Sequence, residues 1–582
     1  MSDERLIPTP QPSDLPTFNI LIGGSEISGE YQVVSVDVYK VFNKIATAKI
    51  LLLDGDPAEQ DFKISNSDDF KPGNEIEIKA GYHNNETTIF KGIIIKHGLK
   101  STKNKPSYLS IEAKDKAVKL TVGRKSTLYY EVKDSEVIED LAGNASLQTA
   151  IEVTSVTHKE MVRNYATDWD FIISRAEVNG LLVLTDDNKL IAKKPDTSSS
   201  PLFILAFGAN LFEFEAEMDA RNQYSSIKSF TWSYADQELK ESESSAPSFI
   251  ENGNISSGEL ADVLQIEEIN QAHGGSLSDE EIKAWSDSKM LKSKLAKIQG
   301  RAKFQGNADV KPGSILTLQG AGDRFNGNIF VTGIRHQINA DNWETDVQFG
   351  FDERWFYEDA DIISKPAAGL VPAINGLQVG VVVDLESDPD GENRVQVQIP
   401  IINKDEKGLW ARVATLDAGN ERGSFFRPEI DDEVIVGFIN DDSRNPVIIG
   451  MVNSSAKPAP LTASNDNHEK GFVTRSKMKF IFNDDKKSIT LETPAGKKII
   501  VDDDAGSITM QDENNNKIEM SSSGITLESA SDIIIKAAGD VKIEGTNINN
   551  KANAQFKAEG SGGAELSTSA VAVVKGSLVQ IN

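Results

Sequence analysis

The sequence predicts a mainly β chain: two similar β-barrels with α+β insertions, a small barrel of the oligonucleotide/oligosaccharide-binding (OB) type, and an intertwined three-chain β-prism at the end. Three observations predict it. Over most of the 582 residues apolar and polar positions alternate with period two, and turn residues recur at spacings of about 8–12. A Lys-Pro-Gly segment with flanking strands occurs twice, at 71 and at 311. From 478 onward, pairs of apolar residues spaced i, i+2 repeat at short intervals.

Composition bounds the chemistry. Hydrophobic residues are 39% and charged residues 26%, enough for large cores. Lys plus Arg is 61 against 89 Asp plus Glu, a net charge of −28, which argues against nucleic-acid backbones as partners. No cysteine is present, so thiol catalysis, disulfides and Cys-ligated metals are excluded. No stretch reaches the ~18 apolar residues of a membrane helix. The start, MSDERLIPTPQPSDLP, is acidic where a signal peptide is basic, so a cytoplasmic start is expected. Its four prolines make residues 1–16 an expected mobile arm.

Residues 17–365 form the first expected domain. One copy of the repeat runs KPGNEIEIKAGY from Lys71 and FKGIIIKHG from Phe90; the other runs KPGSILTLQGAG from Lys311 and FVTGIRHQ from Phe330. Phe90 aligns with Phe330, the strands end near His97 and His336, and Gly73 and Gly313 make the turns. The segments between, about 125–210 and 236–300, read as insertions. One holds a helix signal, ATDWDFIISRAEVNG, with Trp169, Ile172, Ile173 and Ala176 on one face and Gly180 as stop. Another begins with the capping box Ser278/Glu281 and is expected to end at Gly300.

Residues 366–375 are a Pro/Gly/Ala linker, and 376–453 carry five short strands (377–385, 393–400, 409–416, 433–439 and 446–452), the content of an OB barrel. Residues 454–477 read as a second linker. In 478–582 the pairs Ile489/Leu491, Ile499/Val501, Ile508/Met510, Ile518/Met520, Ile525/Leu527, Ile533/Ile535 and Val541/Ile543 settle to a period near eight. One chain gives too few coils to bury these pairs, whereas three chains at eight residues each close a coil of about 24. The expected product is a homotrimeric needle with Ile525, Leu527, Ile533, Ile535, Val541 and Ile543 in its core and strands paired between copies. The open far end calls for a capping protein on Val579, Gln580, Ile581 and Asn582.

The middle segment, RVQVQIPI followed by GLWARVATLDAGNERGSFFRPEIDDEVIVGFINDDSRNPVIIGMVNS, resembles the VgrG spikes of type VI secretion systems. Trp410, Pro428, Glu433 and Gly450 stand at that pattern's structural positions. YATDWDFIISRAEVNG and GIRHQINADNWETDVQFGF match the N-terminal half of such spikes, and the octads resemble their needle. The resemblance implies a fused hub and needle in which two tube-like barrels per chain give a trimer a pseudo-six-fold ring. The implied partners are the inner tube or its initiator, baseplate proteins, a PAAR-type tip protein and cargo effectors, with the target membrane met only on piercing. It also implies assembly in the cytoplasm and delivery out of the cell on firing, no cofactor and no enzyme activity. The gap before the prism is too short for the lysozyme domain that some needle proteins carry, which resembles spikes of phage-like or extracellular injection particles.

Several polar clusters have both a sharper and a plainer reading. Asp388, Asp390 and Glu392 read as a hairpin turn around Gly391 rather than a cation loop, and Asp502–Asp504 as a solvated turn rather than glycosidase carboxylates. His336 reads as structural and His468 as a linker residue rather than an axial ion ligand. Trp410 and Phe425 read as core or subunit-contact residues rather than a sugar platform. The alternatives to a structural spike are a polysaccharide-degrading tailspike enzyme and a glycan-binding adhesin.

Overall fold

The computed structural model describes residues 15–265, 268–340 and 342–581. The expected arm, 1–16, falls almost wholly outside them, as does Asn582. The chain divides into two compact units, residues 1–373 with 440–443 and residues 374–439 with 444–582. Both are built mainly of strands.

In the first unit the duplication is a duplication of sheet order. The first copy comprises β1 (Pro16–Ile22), β2 (Val33–Val41), β3 (Thr47–Leu53), β4 (Glu75–Tyr82), β5 (Asn85–Lys100) and β6 (Tyr108–Lys114). Its strands lie in the order β2-β3-β6-β5-β4-β1. The second comprises β7 (Ile204–Ala206), β8 (Leu211–Met218), β9 (Ile298–Gln305), β10 (Ile315–Gln319), β11 (Gly327–Ile338) and β12 (Trp343–Phe349), in the matching order β8-β9-β12-β11-β10-β7. Each copy wraps its own core, one around Ile50, Ile78, Phe90 and Ile111, the other around Phe304, Leu316, Val331 and Val347. The two halves share one 13-stranded sheet, because β2 pairs antiparallel with β11. Arg335 of β11 bonds Asp37 at 2.6 Å and lies over the Tyr39 ring, which ties that seam.

The Lys-Pro-Gly turns are the same to the hydrogen bond. Asn74 N donates to Lys71 O (3.1 Å) and Gly73 N to Ile94 O (2.8 Å); Ser314 N donates to Lys311 O (3.0 Å) and Gly313 N to Val331 O (2.7 Å). Gly73 and Gly313 sit at φ +103° and +95°, a region costly for any residue with a Cβ. The sequence alignment of Phe90 with Phe330 slips by three residues. Ile93 stands opposite Glu75 and Phe330 opposite Ile315, so Ile93 is the true counterpart of Phe330. The second copy has a shorter β10 and a longer following loop, so the same Gly-to-Phe spacing spans different structure.

The insertions fold as α+β. They contain α1 (Asp134–Asn144), α2 (Asp168–Val178) and α3 (Asp279–Leu295). α2 follows expectation: Thr167 caps it through Asp170 N, its buried face includes Trp169, Ile172, Ile173 and Ala176, and Gly180 follows at φ +70°. α3 starts at the Ser278/Glu281 capping box but stops at Leu295, and Gly300 is a residue of β9 rather than a helix stop. A Cβ there would lie 2.3 Å from Glu215 O, so sheet contact demands the glycine.

Buried charges fasten these insertions. The hairpin turn at Asp186–Asn188 is held at the Lys40 side chain, which is 1% exposed and pairs with Asp186 and Asp187. Lys311, from the second Lys-Pro-Gly turn, adds a 2.8 Å bond to Asp186, and the Lys91 amide donates to Asp187. His158 joins α1, α2 and α3: its Nε2 meets Asp134 and its Nδ1 meets Glu281, each at 3.1 Å. Arg175 and Asn179 also donate to Asp134. The hydrogen bonds to Asp134 and Glu281 raise the His158 pKa to about 9, so it is charged at neutral pH. His336 is the opposite case. Buried beside Trp343 and bonded to Thr345 Oγ1 at 3.0 Å, it is pushed down to about 3 and is neutral. His97 instead meets Ser65 Oγ and Phe70 O and is not its counterpart.

Candidate functional site

The second unit opens with a closed five-stranded barrel: β13 (Gln378–Asp384), β14 (Val395–Gln398), β15 (Leu409–Val413), β16 (Glu433–Phe438) and β17 (Pro446–Met451), joined in the order β13-β14-β15-β17-β16. Val382, Val395, Val397, Ala411, Val434, Val436 and Ile448 fill it. Trp410 lies outside that core, opposite Gln396, because its neighbour Ala411 takes the inward position. Phe425 is likewise not a core residue; it is 81% exposed. Pro428 is buried where the chain turns into β16, and Glu433 starts that strand opposite Val381. Gly450 lies beside a bulge at Ile449, and a Cβ there would meet nothing within 4 Å in this chain.

Below the barrel runs a ladder of seven antiparallel strands: β18 (Glu469–Val473), β19 (Lys479–Asn483), β20 (Ser488–Glu492), β21 (Lys498–Asp502), β22 (Ser507–Gln511), β23 (Lys517–Ser521) and β24 (Gly524–Glu528). It begins at Glu469, inside the stretch read as linker. At ~4.8 Å per strand it is about 30 Å long. The expectation of pairing between copies is corrected for 469–528. These strands pair within their own chain, because turns of two to five residues let each fold back on the last.

The register then decides what the face is. Phe482, Ile489, Val501, Ile508, Met520 and Ile525 stand directly opposite one another in one column. Phe472, Phe480, Leu491, Ile499, Met510, Ile518 and Leu527 form the second. Side chains alternate across a strand, so both columns project from one side of the sheet. Eleven of these thirteen are between 37% and 70% exposed. The strand centres on the other side are Ile481, Thr490, Ile500, Thr509, Glu519 and Thr526, a mostly polar row. Phe426, from the barrel loop, stacks on Phe472 at 5.1 Å, and Arg475 bonds Glu429 at 2.7 Å, so the apolar face continues upward into that loop. The sequence reading missed Phe472, Phe480 and Phe482; the i, i+2 spacing of the last two was the available signal.

Of the expected needle core, Ile525 and Leu527 lie in β24. Ile533, Ile535, Val541 and Ile543 lie in 529–581, whose described residues form no strand, and are 53–73% exposed. Val579 and Ile581 are exposed as well. Of the carboxylates with a sharper reading, Asp388, Asp390 and Asp502 are already engaged. Asp388 accepts from Asp390 N, Glu392 N, Arg394 N and the Arg394 guanidinium, and Asp502 accepts from Ala505 N. Asp512 is held below the usual carboxylate range by the Asn516 side-chain amide.

Comparison with known proteins places these parts. Residues 12–340 match the family described as the Alg8 N-terminal domain, 378–452 the type VI secretion system/phage-baseplate injector OB domain, and 488–554 the phage baseplate V C-terminal trimerisation domain. The chain is 27% identical over 192 residues to the type VI secretion system spike protein VgrG1b of Pseudomonas aeruginosa, covering 31% of this chain and 25% of that one. It is 31% identical over 96 residues to VgrG3 of Vibrio cholerae, covering 15% of this chain and 9% of that one. These matches span a quarter or less of the relatives' length. Among solved structures, a tail protein from Neisseria meningitidis MC58 aligns over 59% of this chain and 98% of its own, with 14% identity and a TM-score of 0.43. With more than half of its length in the first match and the OB and trimerisation domains following in order, the chain belongs to the Alg8 N-terminal domain family and is a VgrG-type spike protein.

Proposed function

We propose that the chain is the structural central spike of a contractile injection system, working as a homotrimer whose needle concentrates the force of sheath contraction on the target envelope. The observation that carries this reading is the two-column apolar face, unbroken across the six strands β19–β24 and exposed among the described residues of a single chain. Such a face is costly in water, and three copies bring three of them to one axis. The match of 488–554 to a trimerisation domain supports the same copy number. The duplicated hub, bearing Gly73 and Gly313 in its turns, supports docking on a hexameric inner tube and baseplate, since three chains then present six similar modules. Val579–Asn582 are proposed to seat a PAAR-type tip protein, and cargo effectors to ride on the spike. Assembly is in the cytoplasm and delivery outward on firing.

The role is mechanical rather than enzymatic. Supporting this, Asp388 and Asp502 are committed to turns and to Arg394 rather than poised as a carboxylate pair. Native mass measurement tests the trimer: three copies of 63.4 kDa give about 190 kDa, and a species at 63.4 kDa across a dilution series would refute it. Measurable glycan cleavage by the purified protein would overturn the non-enzymatic reading in favour of a polysaccharide-degrading tailspike.

A further inference from the structure

The three-stranded sheet against α3 has one covered side and one bare side. Its central strand, Ser226–Ser233, lies between Glu238–Glu243, antiparallel to it, and Glu268–His273, parallel to it. Ile227, Ser229 and Thr231 are buried on the α3 side. There Ser286 Oγ donates to Ser229 Oγ at 2.8 Å, the Leu277 amide donates to Thr231 Oγ1 at 3.1 Å, and Tyr224, Ile227 and Met290 form a small core. Side chains alternate along a strand, so Lys228, Phe230 and Trp232 project from the other side.

Register makes that side an aromatic strip with an acidic border. Trp232 stands opposite Leu239, and Phe230 stands between Glu241 and Ala272. Tyr234 follows at the hairpin. Phe230 is half-buried, whereas Trp232 is 40% exposed, Leu239 65% and Tyr234 73%. Lys228 pairs with Glu268 at 3.0 Å, and Glu243 accepts from Ser226 Oγ at 2.7 Å. Glu241 is exposed beside Phe230 and makes no hydrogen bond or ion pair among the described residues. Three carboxylates therefore share this side with one ammonium, and the Glu241 carboxylate is uncompensated.

These features select an occupant by its charge. An anionic partner is repelled by the carboxylates. A wholly apolar segment would cover the rings but take Glu241 out of water without a counter-ion, which is costly. A guanidinium or ammonium group satisfies both features at once. Over an aromatic ring it is attracted by the negative face, and its N–H groups reach a carboxylate on the neighbouring strand. Trp232 and Glu241 are diagonal neighbours across the strand pair, within the span of one long cationic side chain.

We infer that this face is a docking surface for an arginine- or lysine-bearing segment of a partner protein. One cationic side chain is held between Trp232 and Glu241, with apolar neighbours on Leu239 and Tyr234. The inference does not rest on the trimer reading, because the whole face belongs to one chain.

The test titrates the full-length protein against labelled nona-arginine, read by fluorescence anisotropy. Near physiological ionic strength, long-range attraction to the net charge of −28 is screened. Saturable binding is expected, weakened roughly tenfold by Trp232→Ala and by Glu241→Gln. Asp485→Asn removes the same charge from an exposed turn of the needle ladder and is expected to leave binding unchanged. Equal weakening by Asp485→Asn, or no weakening by either face variant, overturns the surface. Binding of cellohexaose that is lost in Trp232→Ala, with no binding of nona-arginine, would make the face a glycan platform and overturn the cationic partner. Native mass is read for each variant, and a fall in copy number with Trp232→Ala would assign the face to contact between copies instead. Glu241→Gln alters only an exposed side chain, so its result stands even if Trp232→Ala perturbs the sheet.

Discussion

Ile508 lies in the middle of the first apolar column, opposite Val501 and Met520, and 41% of its surface remains exposed in one chain. Full burial of an isoleucine is worth ~1.5–3 kcal/mol, so covering the remaining fraction contributes about 1 kcal/mol per copy. Ile508→Ala forfeits this three times, about 3 kcal/mol per trimer, or roughly a hundredfold in the association constant. Ile508→Asp is far harsher. It sets three carboxylates against one axis, each with a desolvation cost of several kcal/mol, and trimer is expected to vanish at any practical concentration. Thr509→Asp is the control, because Thr509 stands at the centre of the same strand on the opposite face. Sedimentation velocity across a dilution series reads all three. If Ile508→Asp assembles as tightly as the unaltered protein, or if Thr509→Asp disrupts assembly equally, the apolar face is not the trimer interface.

Three further outcomes test the hub. Gly73→Ala and Gly313→Ala each place a Cβ at φ near +100°, and the space around Gly73 is open, so the cost there is backbone strain alone, ~1–2 kcal/mol by denaturant unfolding. Equal stability would mean that the turns relax. Lys40→Met removes the lysine from half-buried Asp187 and leaves Asp186 with Lys311 alone, and is expected to cost ~1–3 kcal/mol in the hub transition, part of it restored by Asp186→Asn with Asp187→Asn. His158 binds its proton more tightly folded than unfolded, because its pKa rises from 6.5 to about 9. Its contribution is therefore full below pH 6.5 and lost as pH rises through 9. Melting temperature should fall over that window, and His158→Gln should flatten the fall; an unchanged slope would assign the pH dependence to other groups.

Local signals made much of this protein legible. The face of α2, the Ser278/Glu281 cap, the Lys-Pro-Gly turns and the barrel strands each carry a local signature, a helical spacing, a cap, a turn residue or an alternation, which sequence spacing encodes directly. The apolar pairs from 489 to 543 were also plain, since a strand displays its buried side every second residue.

Three features needed the tertiary structure. Gly300 looks like a helix stop, yet its neighbour is Glu215 across a sheet, a contact that no spacing along the chain records. The three-residue slip between Phe90 and Phe330 arose because loop length and strand length trade off unseen. The pairing of the needle strands was likewise undetermined: the same i, i+2 pattern serves a ladder folded on itself down to Glu528 and a tail whose described residues form no strand. Alternation specifies which side of a strand is apolar, but which strand lies alongside depends on turn length and register, and only the folded chain decides that.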